Sequence, residues 1–225
     1  MISFGLIAEG LTDQIVIEDI LAGYFNSPNI EVTPLQPKRH KDNQNKSQSG
    51  GWTLVFDYCH SKKFQESFRF LDYIIIQIDT DVSEDYNIAH QDEDGEFTPQ
   101  QLIEKVIDKF RDAIGEDFYN TNQQKILFAI SVHSLECWLL PLYYTDKKKQ
   151  AKVKNCLDTL NLQLAKKHKF TTDPNAKNPE YYREFSKQYS KHKVLMKHYK
   201  DNPSLKNFIE EIQSRDIQIV AEEDW

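Results

Sequence analysis

Residues 74–81 read Ile74-Ile75-Ile76-Gln77-Ile78-Asp79-Thr80-Asp81. With Asp72 and Tyr73 before them, they put four isoleucines and a tyrosine into the seven positions 72–78. Branched and aromatic side chains suit a pleated, buried surface, so 72–78 is the strongest strand prediction in the chain. Two carboxylates follow at its carboxyl end, and alternation along an extended backbone turns Asp79 and Asp81 to the same side. Working outward, Ile2 to Ala8 is a short apolar strand ending in Glu9-Gly10-Leu11-Thr12-Asp13. Lys125 to Ser131 is another, followed by Val132-His133-Ser134-Leu135-Glu136. Acids at the carboxyl ends of parallel strands converge in one crevice, where open α/β sheets hold their ligands. Several ionised carboxylates share a small space only when a cation neutralises them. Oxygen ligands with no Cys or His cluster nearby select Mg²⁺ or Mn²⁺.

The rest of the chain alternates strand and helix up to residue 131, which predicts a mostly parallel α/β sheet flanked by helices. A helix capped by Thr12 is expected to about Tyr24, with Ile15, Ile17, Ile20 and Leu21 on its apolar stripe. A short strand is read at 30–35, a polar basic loop from Pro37 to Gly51, a strand over Trp52–Phe56 and a short helix over Lys62–Phe70. An acidic loop runs from Val82 to Phe97, and Pro99 opens a helix to about Ile114. From Ser134 the pattern is helical, apart from a loop at 171–178 and a last strand at 217–220. This divides the chain into an α/β domain, 1–145, and a helical lobe, 146–225, packed on it.

The net charge is −7 over 225 residues, yet residues 146–200 carry 15 Lys and Arg against 5 Asp and Glu. An acidic metal-binding half joined to a basic half fits an anionic polymer as partner; a solvated lysine-rich surface explains the same excess. No apolar run reaches the roughly 18 residues of a spanning helix, and the amino terminus carries no signal-peptide pattern. Cys59, Cys137 and Cys156 are odd in number and lack zinc-site spacing, which predicts reduced structural thiols in a cytoplasmic protein.

Each acid has a plainer explanation beside the chemical one. Asp13 in a first helical turn complements the helix dipole. Asp79 and Asp81 open an acidic stretch that continues through Glu84, Asp85 and Asp92. Ser134 as a cap accounts for polarity around Glu136, although a buried Glu requires a metal, a lysine or a substrate group. His133 reads as a capping or core histidine rather than a ligand. The lobe's aromatics, Phe170, Tyr181, Tyr182, Phe185, Tyr189 and Tyr199, suit either core packing or base stacking.

Glu9-Gly10 after the first strand and Asp79-x-Asp81 after a later one resemble the TOPRIM fold of topoisomerases, bacterial primases and OLD-family nucleases. The Glu9-x₃-Asp13 spacing and Ser134-Leu135-Glu136-Cys137-Trp138 resemble small stand-alone TOPRIM proteins of prokaryotic defence systems. The segment from Tyr181 to Lys193 is similar to the lysine-bearing helical end of that group. The resemblance implies a nuclease that hydrolyses phosphodiester bonds of DNA or RNA, tRNA included, in defence against phage or mobile elements. It implies two Mg²⁺ or Mn²⁺ ions on Glu9, Asp13, Asp79 and Asp81. Asp13 departs from it, standing where OLD-like nucleases more often carry Glu. In the topoisomerase and primase branches the position of Glu9 is a general acid or base instead. Glu136 joins Glu9, Asp79 and Asp81 as a catalytic candidate, and the lysine expected to meet transition-state charge is Lys191, with Lys187 and Lys193 as substitutes. Lys187, Lys191, His192 and Lys193 are the expected nucleic-acid contacts. A homodimer and an ATPase partner are both compatible with the resemblance.

Two other classes fit parts of the pattern. A HAD-like phosphatase would use Asp79 as nucleophile and Asp81 as acid, but would carry them on its first strand, where Glu9 stands. A non-catalytic TOPRIM-like regulator or nucleic-acid-binding subunit of an ATPase would keep the fold without needing the acids.

Overall fold

The computed structural model describes residues 1–40, 43–47 and 49–219. β1 (Ile2–Ile7) leads through α1 (Leu11–Phe25) to β2 (Ile30–Gln36). A small hairpin, β3 (Arg39–His40) with β4 (Asn43–Ser47), precedes α2 (Trp52–His60), α3 (Lys62–Ser67) and β5 (Tyr73–Asp79). A 3₁₀ turn at Ser83–Tyr86 and the hairpin β6 (Gln91–Asp92) and β7 (Gly95–Glu96) follow. Then come α4 (Pro99–Ile114), α5 (Glu116–Asn122), β8 (Ile126–Ser131) and α6 (Glu136–Tyr143). The remaining helices are α7 (Lys147–Gln150), α8 (Cys156–Lys167), α9 (Pro179–Ser186), α10 (His192–His198) and α11 (Pro203–Ser214).

β1, β2, β5 and β8 form one parallel sheet in the order β2-β1-β5-β8. The chain leaves β1 toward β2 on one side and returns to β5 and then β8 on the other. The strand order therefore reverses between β1 and β5, and a crevice opens at their carboxyl ends. Alternation sorts the strand residues onto two cores. Phe4, Leu6, Ile75, Leu127 and Ala129 meet α1, α6 and the helices after residue 155. Ile7, Ile74, Ile76, Ile78, Ile126, Phe128 and Ile130 meet α2, α3 and α4. The C-terminal helices thus complete one face of the sheet. Among the described residues no helix is long and apolar enough to cross a membrane.

β8 is an edge strand, and α11 covers it. Glu211 Oε2 accepts the Phe128 N–H at 3.1 Å, Ser204 Oγ accepts the Val132 N–H at 3.3 Å, and Arg215 Nη2 donates to Ile126 O at 3.2 Å. These contacts satisfy an edge that would otherwise invite pairing with another chain.

Trp52–Phe56 is helical, not extended, as the start of α2. Trp52, Val55, Phe56 and Cys59 lie at helical spacing, and all but Trp52 are buried; five residues read alone as a strand concealed that period. α1 begins at Leu11 with Gly10 as its cap, so Thr12 lies inside the helix. The segment read as a loop from Pro37 carries the β3–β4 hairpin, with residues 41, 42 and 48 outside the described residues. The expected strand at 217–220 is absent over 217–219, and residue 220 lies outside the described residues. Cys137 and Cys156 form a disulfide, which corrects the expectation of reduced thiols; only Cys59 is free. Packing of α6 on α8 brings their Cα atoms to 5.0 Å across 19 residues of sequence, a proximity that spacing alone does not reveal.

Candidate metal centre

A cleft of about 1090 Å³ opens at the β1–β5 switch point, and Glu9, Asp13, Asp79, Asp81 and Glu136 all line it. Three elements supply them: the β1–α1 turn, the end of β5, and the start of α6. Backbone contacts fix the turn. Gly51 N–H donates to Glu9 O at 2.7 Å, and Gly50 packs so close that a Cβ there would come within 2.0 Å of the same oxygen. Residue 50 can approach only because it carries no side chain, while Gly51 is required by its φ of 111°.

Glu9 and Asp79 are stitched together directly. Asp79 N–H donates to Glu9 Oε1 at 2.6 Å across 70 residues of sequence. Buried Gln77 completes the link: its Oε1 accepts from Glu9 N–H at 3.2 Å and its Nε2 donates to Asp79 Oδ1 at 2.9 Å. The strand end is locked from the β8 side as well. His133 adopts φ 59°, which turns its carbonyl back to accept Thr80 N–H at 2.9 Å and Asp81 N–H at 3.0 Å. His133 N–H donates to Thr80 Oγ1 at 2.8 Å, and its ring stacks on His90. Asp79 and Asp81 both line the cleft, Asp79 buried and Asp81 exposed at its mouth, but β5 ends at Asp79 and a bend and turn at residues 80–81, not extended alternation, carry Asp81 there.

Burial and mutual repulsion dominate the electrostatics. Burial pushes the Glu9 carboxyl up to about 8, with Asp13 and Asp81 adding to the rise. Burial raises Asp13 to about 6, and burial with the Asp13 and Glu9 charges holds Asp79 well above the usual carboxylate range. Asp81 is raised by burial more modestly. Glu136 differs. Burial pushes it up, but Lys177 and hydrogen bonds from Lys177 and Tyr182 outweigh that and hold it below its ordinary value.

Lys177 is the residue that reading the sequence missed. It lies in the loop between α8 and α9, and its Nζ meets Glu136 Oε1 at 2.8 Å. Tyr182 donates its hydroxyl to that same oxygen. Glu136 is therefore engaged by a lysine and a tyrosine, so it positions Lys177 rather than offering a free ligand. Burial disfavours the ammonium, but Glu136 and Asp13 outweigh it and keep Lys177 charged. No motif marks Lys177 in the sequence, because its role arises from a turn-rich loop folding back over the cleft.

The other lysine candidates lie elsewhere. Lys187, Lys191, His192 and Lys193 do not line the cleft. His192 Nδ1 is 2.9 Å from Gly23 O, near the carboxyl end of α1. The cleft is at the amino end of that helix, and Gly23 lies 12 residues beyond Leu11, roughly 18 Å away at 1.5 Å per residue. Distance corrects Lys191 as a candidate for meeting charge in this cleft. The lobe's aromatics serve the core: Tyr182, Phe185, Tyr189 and Tyr199 are buried, and Phe170 and Tyr181 pack against them.

The donor set suits a hard divalent ion. It is made of carboxylate oxygens, and buried Asp13 Oδ1 has no hydrogen-bond partner. In this conformation no three His, Cys, Asp or Glu side chains among the described residues converge to metal-ligand spacing. Among the described residues lining the cleft, the one ammonium of Lys177 faces six carboxylates instead, Asp158 at the start of α8 being the sixth. No family model, curated protein or solved structure matches this chain, so geometry carries the functional reading.

Proposed function

We propose that the chain is a TOPRIM-type nuclease that hydrolyses phosphodiester bonds of DNA or RNA with divalent metal ions. The single observation behind this reading is the convergence of Glu9, Asp13, Asp79 and Asp81 on one cleft at the switch point, with Asp13 Oδ1 unpartnered inside it. These four residues would hold two Mg²⁺ or Mn²⁺ ions. Ions so bound supply an activated water and charge neutralisation at the attacking and leaving oxygens of a phosphodiester. Lys177 supplies a positive charge to a phosphate entering the cleft. The Asp79 N–H keeps the Glu9 carboxylate turned toward Asp79, and Gln77 ties the Glu9 backbone to the Asp79 carboxylate.

The cleft is broad enough for a polymer backbone. Apart from His133 it is lined by no aromatic ring among the described residues, which favours contacts to sugar and phosphate over base stacking. A role in defence against phage or mobile elements, with or without an ATPase partner, rests on the TOPRIM resemblance alone. A cytoplasmic setting belongs to the same reading. There the Cys137–Cys156 bond would persist in a reducing compartment through its burial.

The test is incubation with plasmid and total RNA, with Mg²⁺, Mn²⁺ or chelator, beside a Glu9→Ala, Asp79→Ala double variant. Cleavage by the native chain only, abolished by chelator, is expected. Equal cleavage by both proteins, or none by either under any condition, would remove the nuclease reading. Phosphate release from simple monoesters with a trapped acyl-phosphate on Asp79 would favour the phosphatase instead.

A further inference from the structure

Lys177 stands where a divalent cation would be most favoured. Its side chain is 27% exposed, its ammonium meets Glu136 at 2.8 Å, and Glu136 itself is 2% exposed. Glu9, Asp13, Asp79, Asp81 and Glu136, five of the six cleft carboxylates, lie within electrostatic reach of this one charge. Among the described residues it is the only lysine or arginine lining the cleft. A second observation points to a missing positive ligand: Asp13 Oδ1, fully enclosed, has no partner even with Lys177 in place. One ammonium is therefore too little charge for the site, yet it occupies the space that neutralisation requires.

The loop that carries Lys177 is anchored at both ends. Asn161 pins Thr172 through two hydrogen bonds, Nδ2 to O at 2.8 Å and Thr172 N–H to Oδ1 at 2.9 Å. Asn178 caps α9 by accepting Glu180 N–H at 2.9 Å. Between these points lie the Asp173–Asn175 turn and Lys177, with no regular secondary structure.

We propose that Lys177 is a tethered counter-ion that competes with divalent metal. The cleft holds either the ammonium deep against Glu136 or its full complement of metal. Binding of metal drives Lys177 outward toward the mouth, where an incoming phosphate would meet it. This rests on the divalent-metal reading above and adds a built-in brake on metal occupancy. Like charges repel strongly at such separations even at an intermediate dielectric, so removing the ammonium strengthens metal binding.

The test titrates Mn²⁺ into the full-length protein and into Lys177→Met, reading free Mn²⁺ by electron paramagnetic resonance. Lys177→Met should bind at least about tenfold more tightly than the native chain. Equal or weaker binding by Lys177→Met, with the native chain binding Mn²⁺, overturns the competition while leaving the metal reading intact. Absence of binding by both proteins at millimolar Mn²⁺ overturns the metal reading and the competition with it. Should Lys177→Met fail to fold, acetylation of the native protein with a soluble active ester, read by peptide mass spectrometry, replaces it. Mn²⁺ should raise Lys177 modification several-fold relative to Lys191. Unchanged or reduced modification at a metal concentration that saturates the site would overturn the competition.

Discussion

Glu211 on the β8 edge and Glu9 in the cleft are both largely enclosed, and burial raises both. The Glu211 carboxyl sits at about 7 and that of Glu9 at about 8. Their surroundings differ. Glu211 Oε2 takes the Phe128 N–H, and Oε1 takes Arg215 Nη2 at 3.2 Å. One acid meets one guanidinium and one strand amide, and the structure gains a covered edge. In the cleft six acids face one ammonium among the described residues, and Asp13 Oδ1 is left without a partner. A raised carboxylate alone does not mark a functional site; an excess of charge that the fold leaves uncompensated does.

Substitutions should separate the two places. Glu9→Gln and Asp79→Asn should each lower metal-dependent cleavage by about 10²–10³-fold or more while leaving metal-free unfolding little changed, as read by nuclease assay and thermal melting. Full cleavage by Asp79→Asn would dissolve the distinction. The Cys137–Cys156 link braces the cleft wall by joining α6, which bears Glu136, to the start of α8. A Cys137→Ser, Cys156→Ser variant should lose about 2–4 kcal/mol of stability in urea denaturation. Glu211→Gln should differ from the cleft variants, keeping cleavage while removing the decline in stability up to about pH 7 that Glu211 contributes.

A smaller effect appears in pH dependence. A folded acid with a raised pKa binds more protons than its unfolded counterpart, so stability is full below the ordinary value and falls as pH rises through the folded one. Metal-free protein should thus lose stability from the ordinary Glu value of 4.5 up to about 8, with Asp13 contributing up to about 6. Glu211 adds its own decline up to about 7. Saturating Mg²⁺ should flatten the part due to the cleft and leave the part due to Glu211, and metal uptake near neutral pH should release protons. Thermal midpoints across pH, with and without metal, check this in native protein and Glu9→Gln. An identical slope in both proteins would contradict it.

Much of the fold was legible because its signals are local. Ile74 to Ile78 announced β5 through composition, and Pro99 with Thr98 before it opened α4 with a capping box. The acids were legible for a related reason, since an acid ending an apolar strand is conspicuous in one dimension. What failed was non-local. Trp52–Phe56 gave too few residues to separate a helical period from a strand. Cys137 and Cys156 meet only through helix packing. Lys177 has no motif, and its importance comes from a loop fixed by Asn161 and from a tyrosine, Tyr182, that turns Glu136 toward it. Lys191 looked better placed because it lies in a basic run, yet α1 holds it at the far end of the sheet.

The most direct measurement is anomalous scattering from crystals grown with Mn²⁺. Peaks are predicted among Glu9, Asp13, Asp79 and Asp81, with the Lys177 ammonium withdrawn from Glu136. A cleft without a peak in crystals of protein saturated with Mn²⁺, and with Lys177 still on Glu136, would contradict the metal-centre assignment.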